Sequence, residues 1–211
     1  MSKEKAPENA AVRLSICLRY LREIKDDENI SSKQLAQLTG ISSARIRKDL
    51  SYFGQFGTPG RGYIAGRLRK QISKALGLDR QWNMALVGVG KLGRALLDYF
   101  TFKKSGFHIK AGFDVDEEKI GREISGVKIY HPYQMPKIIR EKKIHIGIVT
   151  VPAEAAQEAV DLLVISGIRA ILNFSPVWVV VPRYVKLKNV DFTSQIEVIP
   201  FYLVKDNFLN R

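Results

Sequence analysis

Cysteine is almost missing from this 211-residue chain, with Cys17 as its single instance. One thiol excludes an internal disulfide and any thiolate metal cluster. Histidine is scarce as well, and His108, His131 and His145 stand too far apart to form a metal-ligand motif. No apolar run reaches about eighteen residues, so the sequence offers no membrane-spanning helix. The opening stretch MSKEKAPENA is polar, without the apolar core of a secretory signal. Together these absences lead to the expectation of a cytoplasmic protein with neither membrane nor metal.

Acidic residues are also in deficit. Lys and Arg number 34 against 21 Asp and Glu, for a net charge of +13. The imbalance is uneven: residues 1–80 hold 16 basic and 8 acidic side chains, while residues 81–211 hold 18 and 13. Between Arg45 and Arg80 nine basic residues meet only two acidic ones. Such an excess attracts polyanions, because each neutralised phosphate releases condensed counterions.

The basic part is patterned as helices. AVRLSICLRYLREI carries Val12, Ile16, Tyr20 and Ile24, with Leu14, Leu18 and Leu21 beside them, which predicts a helix with a broad buried face and Cys17 on or near it. In SSKQLAQLTG, Ser31 and Gln34 have capping-box spacing and Gly40 closes the helix. After a short turn, ISSARIRKDLSYFG places Ile46, Leu50 and Phe53 on one face, with Ser42 as the cap. A short helix, a tight turn and a basic helix form a helix-turn-helix pattern, whose second helix enters the major groove. Ser43 and Ala44 are small enough for close approach to base edges, and Arg45, Arg47, Lys48, Ser51 and Tyr52 complete the expected DNA-contacting surface. GQFGTPGRGY then predicts a two-stranded hairpin with Arg61 near its tip, the wing of a winged helix suited to a minor groove.

From Met84 the pattern changes. Strands are predicted at MALVGV, FHIKAGFD, IHIGIVTV, RAILNF and VKLKNVDF. Helices are predicted at LGRALLDYF, PYQMPKIIREK, AEAAQEAVDLLVISG and SQIEVIPFYLVKDNFL. Alternation of this kind predicts an α/β fold with a doubly wound parallel sheet of the Rossmann type. GVGKLG, residues 88–93, lies between a strand and a helix, the context that gives a G-x-G-x-x-G string its meaning. Gly88 supplies the tight turn, Gly90 the backbone approach to a pyrophosphate, and Gly93 the close packing of helix on strand. Val89, Lys91 and Leu92 complete the loop. Asp114, at the end of the next apolar run, is placed to accept ribose hydroxyls and to favour NAD over NADP, with Asp116 as a second candidate. Thr150, Pro152, Ala153, Asn173 and Phe174 follow the ends of later strands and are expected to line the nicotinamide side of an NAD(H) site.

Catalytic partners are not evident. Hydride transfer ordinarily needs a general acid or base near the nicotinamide. His108 and His145 start strands, and His131 has no nearby carboxylate in the sequence. The expectation is a sensor of NAD(H), not an enzyme. A nucleotide-dependent oxidoreductase and a coenzyme A-binding regulator are the rivals, the latter because TVPA-like turns occur in acyl-CoA ligases.

The strings RLSICLRYL, SSARIRKDLSYFGQFGTPGRGY, VGVGKLGRALLDY, FDVDEEKIG, VTVPAEAAQ, ILNFSP and VDFTSQIE, taken together, resemble the Rex family of bacterial redox-sensing transcriptional repressors. That resemblance implies a winged-helix domain over residues 1–80, a Rossmann domain over 81–193 and a C-terminal helix over 194–211. It also implies a homodimer that exchanges this last helix, binds palindromic double-stranded operator DNA and lets go when NADH binds, with NAD+ competing but favouring the DNA-bound form. By position it implies Arg13, Tyr99 and Asp191 as a polar switch set, and Phe192 as a partner-derived residue beside the nicotinamide. Two positions depart from the family pattern. Ser15 stands where relatives often have proline, which is expected to alter how the first helix begins. Pro200 falls inside the last predicted helix and is expected to kink it.

Overall fold

The computed structural model describes residues 6–54, 56, 62–99, 102 and 105–205. The chain separates into two compact units, Met1–Arg80 and Gln81–Arg211.

In the first unit, helix α1 (Glu8–Leu21) turns Leu14, Cys17, Leu18 and Leu21 into the core. Val12 and Tyr20 lie on its opposite side and are 45% and 39% exposed, so the buried face is narrower than predicted. Ser15 does not disturb the start of the helix. It lies within it, and its hydroxyl donates to the Val12 carbonyl at 2.7 Å. Helix α2 (Ser32–Thr39) has the predicted capping box: Ser31 Oγ accepts from the Gln34 N–H, and the Ser31 N–H donates to Gln34 Oε1 at 2.8 Å. Gly40 ends it in the left-handed region, at φ 71°. Helix α3 (Ser43–Ser51) is capped by Ser42 and buries Ile46 and Leu50. Helix α4 (Ala65–Ala75) closes the core with Leu68 and Ile72. From α4, the Arg69 guanidinium donates to the Leu21 and Ile24 carbonyls, supplying partners for the C-terminal end of α1, and pairs with Asp26 at 2.7 Å.

Strand β2 (Tyr63–Ile64) pairs antiparallel with β1 (Asn29–Ile30), which lies between α1 and α2. The hairpin predicted in GQFGTPGRGY falls largely on residues 55 and 57–61, outside the described residues. Two residues per strand offer too little alternation to read, and their partnership spans more than thirty positions. Arg61 lies outside the described residues.

The second unit is a sheet of seven strands in the order β5-β6-β4-β3-β7-β8-β9. All five predicted strands are present, as β3 (Trp82–Val87), β4 (Phe107–Phe113), β7 (Ile146–Val149), β8 (Ala170–Asn173) and β9 (Lys186–Asn189). The hairpin β5 (Glu123–Ile124) and β6 (Val127–Tyr130) was not predicted. Its turn is Ser125-Gly126, both at positive φ (52° and 77°), the backbone of a two-residue hairpin turn. Strand β6 runs parallel to β4, and β5 is the antiparallel edge. Among the described residues the remaining α-helices are α5 (Lys91–Leu97), α6 (Met135–Glu141), α7 (Ala153–Ile165) and α8 (Phe192–Lys205). One apolar layer joins Phe113, Met135, Val160 and Leu163 under α6 and α7; another joins Leu86, Leu97, Ile129 and Ile148 on the α5 side. Chain order reverses between β3 and β7, which opens a crevice at their carboxyl ends. Helix α8 continues through Pro200 and buries none of its residues.

Candidate functional site

The crevice at the switch point forms a cavity of about 460 Å³. Loops after four strands contribute to its lining, Gly88 and Gly90 after β3, Asp114 and Val115 after β4, His131 to Tyr133 after β6, and Thr150 to Pro152 after β7, and Met135 of α6 with Ala155, Glu158, Ala159 and Leu162 of α7 complete it. The three glycines serve three different ends. A Cβ on Gly93 would collide with the Gly88 carbonyl oxygen, so α5 sits against the turn only because nothing is there. Gly88, at φ 92°, has the Thr150 carbonyl 2.8 Å from where a Cβ would lie. A Cβ on Gly90 would meet no protein atom within 4 Å. Its glycine therefore has no packing reason; it leaves the cavity wall bare, which fits a pyrophosphate lying close to the backbone. No side chain caps α5, so the donors of its first turn are open to an anion.

Asp114 holds the loop as well as facing the cavity. Its Oδ2 accepts the Val89 N–H at 2.7 Å and Lys119 Nζ at 3.2 Å, and its Oδ1 accepts the Asp116 N–H at 3.0 Å. Val89 spends its amide on Asp114 and buries its side chain in the core. Lys119 was not foreseen in the site. It bridges Asp114 and Asp116, the latter at 3.1 Å, and lines the cavity. Burial works against its charge, but the hydrogen bonds to Asp116 and Asp114 outweigh that and hold its pKa above the ordinary lysine value. The same hydrogen bond from Lys119, helped by the Glu118 N–H, holds the Asp116 carboxyl below its ordinary value. The D-x-D-x-x-K spacing is the signal that could have revealed Lys119, since it turns three polar side chains inward around one tight turn.

Thr150 Oγ1 donates to the Gly88 carbonyl at 2.7 Å, joining the β7 loop to the glycine loop, and Pro152 adds an apolar wall. Ala153 opens α7 beside it, while Lys91 and Leu92 open α5. Asn173 departs from expectation. It is fully buried, its amide nitrogen donates to the Val177 carbonyl at 2.9 Å and Asn189 Oδ1 at 2.9 Å, and its oxygen accepts the Ser175 N–H at 3.0 Å. Its hydrogen bonds all go to the chain, so it shapes the loop without lining the cavity. Phe174 packs on Phe192 of the same chain with ring centroids 6.1 Å apart, and both line a second cavity of about 370 Å³ beyond β8 and β9.

Two members of the implied switch set lie in this unit. Asp191 Oδ1 accepts the Thr193 and Ser194 N–H groups at 3.0 and 3.2 Å, capping α8. Tyr99, half exposed just after α5, meets Phe102 edge-on at 5.0 Å. The third, Arg13, belongs to the first unit and binds Asp49 through two bonds, Nε to Oδ2 at 2.6 Å and Nη2 to Oδ1 at 2.8 Å.

That pair lies beneath the basic surface. Asp49, on α3, is 1% exposed, the only buried charged side chain among the described residues. It also attracts Arg45 one turn earlier, at 3.8 Å. Ala44, Arg45, Arg47, Lys48 and Ser51 face solvent, and Ser43 and Tyr52 are half-buried at the two ends of the helix. Arg47 reaches back to Ser32 Oγ at 3.0 Å, tying α3 to the start of α2. The outward face of α3 thus presents cations and small side chains held from below, as a groove-reading helix requires. Among the described residues no cluster of His, Cys, Asp and Glu could hold a metal, and no helix is long and apolar enough to cross a membrane.

Known proteins share both halves. Residues 5–51 match the family model "Putative DNA-binding protein N-terminus", and residues 79–177 match "CoA binding domain". The redox-sensing transcriptional repressor Rex of Syntrophomonas wolfei is 49% identical over 96% of this chain and 98% of its own. Rex of Thermus thermophilus is 44% identical over 95% of each. The structure of the Rex-family repressor RSP with NAD+ and operator DNA superposes with a TM-score of 0.89 at 35% identity, covering 98% of this chain and 97% of that one. RSP with NADH gives 0.87 at 33% identity, covering 98% of each. On identity of this extent over nearly its whole length, the chain belongs to the Rex family of redox-sensing transcriptional repressors.

Proposed function

We propose that this repressor binds palindromic operator DNA as a homodimer through the outward face of α3, and releases it when NADH fills the crevice at β3 and β7. The observation that carries the reading is Gly90, a loop residue whose missing side chain opens onto the cavity and serves no packing purpose. Gly88 to Gly93 would hold the pyrophosphate, Asp114 the adenosine ribose, and Pro152 and Phe174 the nicotinamide side. The bound nicotinamide supplies a redox signal, and this chain's own task is to tell its two oxidation states apart. NAD+ is expected to compete for the same site while favouring the DNA-bound form.

Homodimerisation is supported by α8, whose Ile196, Ile199, Phe201 and Val204 are each more than half exposed. A helix so apolar and so uncovered needs a partner surface. Exchange of α8 between two copies meets that need, and the pairing of Arg13 and Tyr99 with Asp191 in alternate states is proposed on the resemblance alone. A catalytic role is not proposed: His131, the histidine that lines the cavity, uses Nδ1 to accept the Tyr133 N–H at 3.3 Å and caps a turn.

The match of residues 79–177 to a coenzyme A-binding family keeps that ligand in the test. Titration of the protein with NADH, NADPH and coenzyme A is expected to rank NADH first. Tightest binding to coenzyme A would overturn the cofactor assignment.

A further inference from the structure

On the face of the second sheet that carries α6, a basic cluster lies away from the nucleotide loops. Lys110 comes from β4, Lys128 and Tyr130 from β6, and Lys142 from the end of α6, and with His108 they line one cavity of about 440 Å³. The ammonium groups of Lys128 and Lys142 lie 5.7 and 5.9 Å from the centroid of the same Tyr130 ring. Lys110 is there because of a break in the sheet. Along β3, Met84 pairs with Ile109 but Ala85 pairs with Ala111, so Lys110 is the extra residue of a bulge. The bulge reverses the alternation: Ile109 packs into the layer on the α5 side, whereas Ala111 and Phe113 pack into the layer under α6 and α7. Bulges re-aim side chains in this way and recur beside functional sites.

None of these three lysines makes an ion pair among the described residues. Glu123 lines the same cavity without coming within ion-pair distance of them. Three like charges lining one cavity, two of them at the same ring, repel one another, and an anion placed among them removes that repulsion. Ammonium groups act as point charges toward phosphate, and a cavity of this volume lies within the range of small-molecule sites.

We propose that this cluster is a binding site for a compact oligophosphate, either free or as the tail of a nucleotide, separate from the glycine-rich loop. Lys110, Lys128 and Lys142 neutralise it, and the Tyr130 ring fixes the two flanking ammonium groups by cation–π attraction.

The test is calorimetric titration of the full chain with sodium pyrophosphate and, in a second arm, with ATP, at fixed ionic strength. Saturable one-to-one binding is expected with a Kd below about 1 mM. It should persist in Gly90→Val, which blocks the nucleotide crevice, and weaken about tenfold or more in a Lys110→Gln/Lys128→Gln/Lys142→Gln chain that keeps its circular dichroism and its NADH affinity. Pyrophosphate equal to ATP identifies the phosphates as the whole determinant, and tighter ATP binding adds a nucleoside contact; both support the site. Binding no stronger than sulfate, or binding that Gly90→Val abolishes and the triple substitution spares, overturns it. So does a triple variant that loses operator affinity while its pyrophosphate binding stays unchanged, since the cluster would then serve the DNA backbone.

Discussion

Asp49 carries the charge that the basic helix needs beneath it. Two bonds from Arg13 satisfy its carboxylate, and the same carboxylate draws Arg45 into place. Removing one partner of a buried pair leaves the other charge uncompensated, and Asp49 is the buried member, so Arg13→Ala is expected to cost more than Asp49→Ala. We expect Asp49→Ala to lower the thermal midpoint of the N-terminal unit by several degrees and to weaken operator binding, read by calorimetry and gel shift. Cys17 provides a second test. Burial, reinforced by the Asp49 charge, pushes its thiol from 9.0 up to about 11. A native-state pKa above the unfolded one means stability that is complete below pH 9.0 and is lost as the pH climbs toward about 11. The native thiol should accordingly resist iodoacetamide at pH 8 and react once in urea; rapid labelling of the folded protein would contradict its burial. The glycine loop gives a paired prediction. Gly93→Ala forces a methyl group onto the Gly88 carbonyl and should destabilise the second unit by about 2 kcal/mol or more. Gly90→Val should leave stability within about 0.5 kcal/mol and reduce NADH affinity more than tenfold, by filling the space the pyrophosphate takes.

Elements were legible where local chemistry decides them. Ser31, Gln34 and Gly40 announced α2 because a capping box and a left-handed glycine act within a single turn. The glycine spacing and Asp114 announced the crevice because strand, turn and helix follow one another directly. What depended on distant partners stayed hidden. The β1–β2 pairing joins two-residue strands, and the Arg13–Asp49 pair spans 36 positions. Asn173 sits at a strand end, as ligand residues do, but Asn189 and Val177 claim its amide, and no local pattern records that. The β5–β6 hairpin has a local signature in its Ser125-Gly126 turn, but its strands are too short for their alternation to show. At this scale α3 makes the clearest prediction. Arg47→Ala and Lys48→Ala should each weaken operator binding and, if they contact phosphates, lower the slope of log K against log salt by about one. For α8, replacing Phe201 with Asp should convert dimer to monomer in sedimentation velocity, because that side chain is 60% exposed in the single chain and needs a partner to cover it.

At the scale of the whole molecule, the question is how a small crevice in one unit governs a helix in the other. Between α4 and β3 lie only the residues 76–81, with Gly77 at φ 69° ending the helix. A ligand shifts a conformational equilibrium only as far as its affinities for the two states differ. If NADH favours the state that releases DNA, operator DNA must lower NADH affinity by the same factor that NADH lowers operator affinity. Couplings of this kind are typically about 5- to 150-fold. We therefore expect saturating NADH to weaken operator binding within that range, NAD+ to leave it in place, and operator DNA to raise the NADH dissociation constant in equal measure. Fluorescence anisotropy of labelled operator and direct titration of NADH would measure the two sides independently. Equal NADH affinity with and without operator would show that the crevice and the basic helix are uncoupled, even if each binds its own ligand well.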